Sequence, residues 1–127
     1  RHGMSVLLDS SVIIDMLRGS ARALTFVEAQ PTIPFVSPMT LAELHAGFRS
    51  RREEKEGERV FAALRLASCA DLEIWRRAGQ FMKHFHASHG LDELDALIAA
   101  TAEHHHLKLA TLNVKHFPML KGLKRAY

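Results

Sequence analysis

The chain has 127 residues, 47% of them hydrophobic and 24% charged, which is the size of one ordinary domain with enough apolar side chains for a real core. No apolar run reaches the roughly 18 residues that a membrane span needs, no charged and apolar leader precedes the first element, and the single cysteine, Cys69, excludes an intramolecular disulfide framework and a CxxC zinc site. A soluble, cytoplasmic protein is expected, and the net charge of +3 suits a polyanionic partner without requiring one.

Arg1 to Gly3 stand ahead of Met4 and read as an expression remnant, so one domain over residues 4–127 is expected. Val6 to Leu8 is a short apolar run closed by Asp9 and reads as a strand buried on both faces. Helical spacing follows from Ser11 to Arg18, with Gly19 as its cap, and again from Ala21 to Ala29, ended by Pro31. IPFVSP holds the second strand, and Ser37 and Pro38 have the chemistry of an N-cap and first helical position. The helix they open carries TLAELHAGF, with Leu41, Leu44 and Phe48 on its apolar face. RSRREEKEGER is dense in charge and contains Gly57, so a solvated turn between two helices is expected there. Further helices are expected over Phe61 to Leu66, Ile74 to His86 and Glu93 to His105. A strand in LKLAT, a tight loop in NVKHFP and a short last strand in LKRAY complete the chain. Strands separated by helices imply parallel pairing through right-handed crossovers, hence a three-layer α/β/α sandwich around a short, mainly parallel sheet. Sheets of this kind collect ligands beyond the carboxyl ends of their strands.

Three acids fall at that edge. In LDELDALIAAT, Asp95 shares a helix face with Leu91, Asp92, Ile98 and Ala99, so it stands on a mostly apolar stripe. A carboxylate there must face a cleft, hold a proton or meet a cation; alternatively Asp92 and Asp95 simply complement the helix dipole. Asp9 closes the first strand, where it is either part of a site or an N-cap for the next helix. Glu43 lies in the first turns after the second strand, either at the same edge or as an exposed acid on an amphipathic helix. Carboxylates gathered within a few ångströms raise each other's pKa unless a cation holds them ionised, and oxygen-only ligation suits Mg²⁺ or Mn²⁺ better than Zn²⁺.

The blocks LLDSSVIID, TLAELHAG, LDALIAATA and LATLNVKHFP, in this order and spacing, resemble those of the PIN-domain ribonucleases, and within them the VapC toxins of toxin–antitoxin pairs. The resemblance covers essentially all of Met4 to Tyr127. It implies a PIN-like fold, a homodimer, and a Mg²⁺- or Mn²⁺-dependent endoribonuclease with an acidic pocket, inhibited by a small VapB-like antitoxin. Asp9, Glu43 and Asp95 correspond to the first three acids of that pocket, and are the expected catalytic residues and metal ligands. Where the family often has a fourth acid, TLNVKHF places His116, a candidate for holding a phosphate or metal, or an ordinary loop histidine. Asp92, one turn before Asp95, is an alternative source of the missing carboxylate. Thr111 and Asn113 match small polar residues beside the pocket, and Ser11 is placed to hold the Asp9 carboxylate. The expected reaction is hydrolysis of single-stranded or looped RNA, leaving a 3′-hydroxyl and a 5′-phosphate. A PIN-like RNA-binding or regulatory module that has lost cleavage is the alternative. A receiver-type phosphotransfer domain fits less well, since SVLLD lacks the paired acid.

Lys115, Lys121, Lys124 and Arg125 are the expected contacts to an RNA backbone, ahead of Arg49, Arg51, Arg52, Lys55 and Arg59. Leu41, Leu44, Phe48, Phe61 and Leu64 form either core or an antitoxin groove. Asp15 is expected to pair with Arg18, and Trp75 to serve in the core or a dimer contact. His84, His86 and His89, and the run His104 to His106, invite zinc, but three consecutive helical residues point about 100° apart and cannot face one ion.

Overall fold

β1 (Val6–Leu8) is buried on both faces, and its pleat divides the core. Val6 and Leu8 pack into one apolar cluster with Val12, Ile13, Val36 and Leu44, while Leu7 enters another with Ile74, Phe81, Leu97 and Ile98. The computed structural model describes residues 5–89 and 91–127, with no side chains described over 86–89. Arg1 to Gly3, and the side chains of His86 and His89, therefore lie outside the described residues.

In chain order, β1 is followed by α1 (Ser10–Leu17), α2 (Ala21–Glu28), β2 (Phe35–Val36), α3 (Pro38–Gly47) and α4 (Arg51–Ala62). β3 (Arg65–Leu66), α5 (Leu72–His89), α6 (Glu93–His104) and β4 (Lys108–Ala110) come next, then a 3-10 turn over Val114–His116. The sheet order is β3-β2-β1-β4 with every pairing parallel. Side chains of α1, α3 and α4 pack with the Val6 side of the sheet and those of α5 and α6 with the Leu7 side, giving the expected α/β/α sandwich. α6 is apolar nearly all round, with Ala96, Leu97, Ile98, Ala99, Ala100, Thr101 and Ala102 all buried.

Local chemistry accounts for the ends of these elements. Ser37 accepts from the N–H groups of Met39 and Thr40 at 3.1 and 3.4 Å, with Pro38 in the first helical position of α3. Gly19 follows α1 at φ 77°, a left-handed conformation that suits glycine.

Three stretches differ from expectation. RSRREEKEGER is mostly exposed but helical from Arg51 onward: Ser50 Oγ accepts from Glu53 N–H at 3.1 Å, and Glu53 Oε1 accepts from Arg49 N–H at 2.8 Å, a reciprocal cap that starts α4. Gly57 marks no turn; it is buried in α4 because the Phe48 ring lies against it, where a Cβ would come within 2.2 Å of Phe48 Cζ. The helix expected through Leu66 stops at Ala62, and Arg65 and Leu66 pair with Phe35 and Val36 as an exposed edge strand. LKRAY forms no strand. Ala126 N–H donates to Thr111 O at 3.0 Å, and the Tyr127 hydroxyl donates to Asp15 Oδ2 at 2.7 Å, so Asp15 meets Tyr127 rather than Arg18. Among the described residues no helix is long and apolar enough to cross a membrane.

Candidate active site

β1 and β4 run parallel and end together, with Leu8 opposite Ala110, so the residues that follow come side by side. Asp9 N–H donates to Ala110 O at 2.9 Å, and the Asp9 side chain is buried, only 4% of the residue remaining exposed. Asp9 occupies the N-cap position of α1 in extended conformation, yet its carboxylate makes no cap hydrogen bond. Its Oδ2 instead accepts from Thr111 Oγ1 at 2.8 Å and Ser11 Oγ at 3.1 Å. Those hydroxyls are themselves oriented by backbone donors: Asn113 N–H to Thr111 Oγ1 at 2.9 Å and Leu112 N–H to Ser11 Oγ at 3.0 Å. With a lone pair of each hydroxyl engaged by an N–H, its proton is directed to the carboxylate.

Glu43 rises from the second turn of α3 and feels Asp9, Asp95 and Asp92 together. Burial pushes its pKa up, and the charges of Asp9, Asp95 and Asp92 push it further, in that order. Its Oε1 is buried and accepts no hydrogen bond, and the same is true of Thr40 Oγ1 one turn earlier in the helix. An anion left in this state must gain a proton or a cation. Asp95 sits in the first turn of α6 with 17% of its side chain exposed. Burial pushes its pKa up to about 6; His116 opposes this, its Nδ1 3.5 Å from Asp95 Oδ2, while Asp92 and Asp9 add to it. Asp92 is the exposed N-cap of α6, its Oδ1 accepting from Leu94 N–H at 2.8 Å. It therefore joins the acidic field with one oxygen already engaged.

Asp9, Glu43 and Asp95 thus come within electrostatic reach of one another, with Ser11, Thr111 and His116 around them. Asn113 contributes a backbone donor and is otherwise exposed. Lys115 is exposed on the 3-10 turn beside His116, and Lys121, Lys124 and Arg125 are exposed on the segment that follows. Arg49, Arg51, Arg52, Lys55 and Arg59 are exposed along α4 and its approach. Thr40 escaped the sequence reading; its spacing of three from Glu43 on one helix was the available signal.

Beside Glu43 opens a groove of about 510 Å³ whose walls include Ile14, Leu17, Leu44 and Phe48, with Arg18, Arg49, Glu53 and Glu56 also lining it. Phe61 and Leu64, expected as core or groove, pack partly buried against the cluster around Leu8. Trp75 is half-exposed on α5, its Nε1 donating to Cys69 O at 2.7 Å, so it is not a core residue. The run His104 to His106 diverges: His104 Nε2 lies 3.4 Å from Asp71, His105 Nε2 meets Ser68 O at 2.7 Å, and His106 adopts φ 55°.

The donor set of the pocket is carboxylate oxygen with one imidazole nearby. Among the described residues no three His, Cys, Asp or Glu side chains are spaced to close around one ion. A hydrated divalent ion, held through one or two carboxylates with water completing its shell, fits such a pocket; a closed protein cage does not. Glu43 Oε1, buried and without a donor, is the atom that most needs it.

Comparison with known proteins shows the family of the chain. Residues 6–119 match the family described as PIN domain. Ribonuclease VapC10 of Mycobacterium tuberculosis is 43% identical over 122 residues, covering 94% of this chain and 90% of the relative. Ribonuclease VapC19 of the same organism is 34% identical over 125 residues, covering 95% and 98%. A toxin-antitoxin complex from Klebsiella pneumoniae contains a chain that superimposes with a TM-score of 0.81 at 27% identity, covering 97% of this chain and 98% of that one.

Proposed function

Because the chain belongs to the PIN-domain family, and within it to the VapC ribonucleases, we propose that it is an endoribonuclease toxin restrained by a VapB-like antitoxin. Its substrate is single-stranded or looped RNA, and it acts with Mg²⁺ or Mn²⁺. The observation that carries this reading is the convergence of Asp9, Glu43 and Asp95 at the carboxyl edge of β1 and β4, with a carboxylate oxygen of Glu43 left buried and unpartnered.

In this reading Asp9 and Asp95 are the principal ligands, and Glu43 acts through water or a second ion. When bound, a divalent ion supplies charge to a phosphoryl oxygen, a more acidic attacking water and a stabilised leaving oxygen, so no nucleophilic side chain is needed. The chain's own residues supply position. Ser11 and Thr111 fix the Asp9 carboxylate in one rotamer, and the backbone donors behind them keep both hydroxyls aimed at it. His116, 3.5 Å from Asp95, holds that carboxylate toward its ionised form and presents a ring to an incoming phosphate. Lys115, Lys121, Lys124 and Arg125 provide exposed positive charge for the RNA backbone, a contribution that weakens with salt. The groove beside Glu43 suits an antitoxin helix laying apolar side chains on Leu44 and Phe48.

The test is cleavage of an unstructured RNA with and without Mg²⁺ or Mn²⁺. Metal-dependent cleavage that leaves a 3′-hydroxyl and 5′-phosphate, and is abolished in Asp9→Asn, is the expected result. A 2′,3′-cyclic phosphate product, or RNA binding with no cleavage by the native chain, contradicts it.

A further inference from the structure

Residues 126 and 127 touch both segments that hold Asp9. Ala126 N–H donates to the carbonyl of Thr111 at 3.0 Å, and the hydroxyl of that same Thr111 donates to Asp9. The next residue, Tyr127, donates its hydroxyl to Asp15 Oδ2 at 2.7 Å. Asp15 lies four residues after Ser11 on α1, one turn further along the same face. Ser11 and Thr111 meet beside Asp9, their hydroxyl oxygens 3.4 Å apart, and Asp15 and Tyr127 repeat that bridge one turn away.

We propose that Tyr127 is a positioning residue for the acidic pocket: it fastens α1 to the segment beyond β4 and so sets the Ser11 to Thr111 spacing on which the Asp9 carboxylate rests. The ring is anchored independently of its hydroxyl. It lies 5.8 Å from the Phe26 ring, and the Arg22 guanidinium sits 5.6 Å from its centroid. Burial, then the bond to Asp15, pushes the phenol up to about 12, so the proton that makes the bridge is present across the working range of pH. The span matched to the PIN domain covers residues 6–119, so Asp15 lies inside it and Tyr127 beyond it.

The proposal rests on the reading of Asp9 as a metal ligand, and its test separates the two. Mn²⁺ affinity is measured by calorimetry for the native chain, Tyr127→Phe, Asp15→Ala, Asp15→Asn and Asp9→Asn, each at a temperature well below its own melting point. Tyr127→Phe keeps the ring packing and loses only the bridging hydroxyl, and Asp15→Ala breaks the same bond from its other end. Each should bind Mn²⁺ about 10-fold more weakly, the usual range for a residue that orients a metal ligand. A double variant, Tyr127→Phe with Asp15→Ala, measured in the same way, should be no weaker than either single one. Asp15→Asn retains an acceptor for the phenol and should restore near-native affinity, which a purely electrostatic role for Asp15 would not allow. Native affinity in Tyr127→Phe and Asp15→Ala, alongside binding lost in Asp9→Asn, overturns the bridge and leaves the metal reading standing. Native affinity in Asp9→Asn overturns the metal reading, and the bridge's role with it.

Discussion

The hydroxyl of Thr111 donates to the carboxylate of Asp9 at 2.8 Å, joining residues 102 positions apart. The contact follows from parallel pairing: β1 and β4 end in register, and the first residue beyond each strand faces the other. Thr111→Val keeps the shape and removes the donor, leaving Asp9 with Ser11 as its remaining hydroxyl partner. A loss of about 10- to 100-fold in divalent-ion affinity is expected, with Thr111→Ser close to native. Titration calorimetry with Mn²⁺ checks it; equal affinity in the Val and Ser variants would show that this bond does not position Asp9.

Asp95 should contribute a cost to the stability of the metal-free protein at neutral pH that is absent in mild acid. Its ordinary pKa is 3.8 and in the fold it is about 6, so the unfolded chain gives up this proton first as pH rises. The cost is absent below about pH 4, accumulates between about 4 and 6, and is complete above about 6, reaching on the order of 2–3 kcal/mol. Asp95→Asn removes it and forfeits about 0.3–1 kcal/mol of helix-dipole stabilisation, which is the smaller effect. The variant should therefore melt several degrees higher than the native protein at pH 7.5 in chelator, and no higher near pH 4. Differential scanning calorimetry at the two pH values decides it. Removing His116, which draws the Asp95 pKa down, should enlarge the gap.

Two glycines inside helices should respond oppositely to alanine. On α5 a Cβ at Gly79 meets nothing within 4 Å, so Gly79→Ala should stabilise by about 0.5–1 kcal/mol. On α4 a Cβ at Gly57 would stand 2.2 Å from Phe48, and overpacking costs about 1–3 kcal/mol, more than the helical gain. Phe48 also lines the groove beside Glu43, so Gly57→Ala should weaken any partner that occupies it. Urea unfolding of both variants, with Gly57→Ala combined with Phe48→Leu as the rescue, measures the difference.

What the sequence made legible was what local chemistry specifies. The apolar run Val6 to Leu8, the Ser37–Pro38 cap and the apolar face of α6 each carry their own signal, and all appear in the fold. β3 did not, because two exposed residues on a sheet edge show no alternation. In α4 the density of charge correctly indicated exposure but not conformation, since the reason for Gly57 is a phenyl ring nine residues earlier in the chain. From sequence Asp9 is either an N-cap or a site residue; it stands at the N-cap position, and the fold shows its carboxylate turned to the Ser11 and Thr111 hydroxyls. The bridge from Tyr127 to Asp15 spans 112 residues, and no spacing rule relates the two.

The most direct test of the central claim is anomalous scattering from a crystal grown in Mn²⁺. The account predicts a peak between the carboxylates of Asp9 and Asp95, with Glu43 reaching it through water or meeting a second ion, and no such peak in Asp9→Asn. A manganese peak on the histidines of residues 104–106 alone, with Asp9, Glu43 and Asp95 bare, would contradict it.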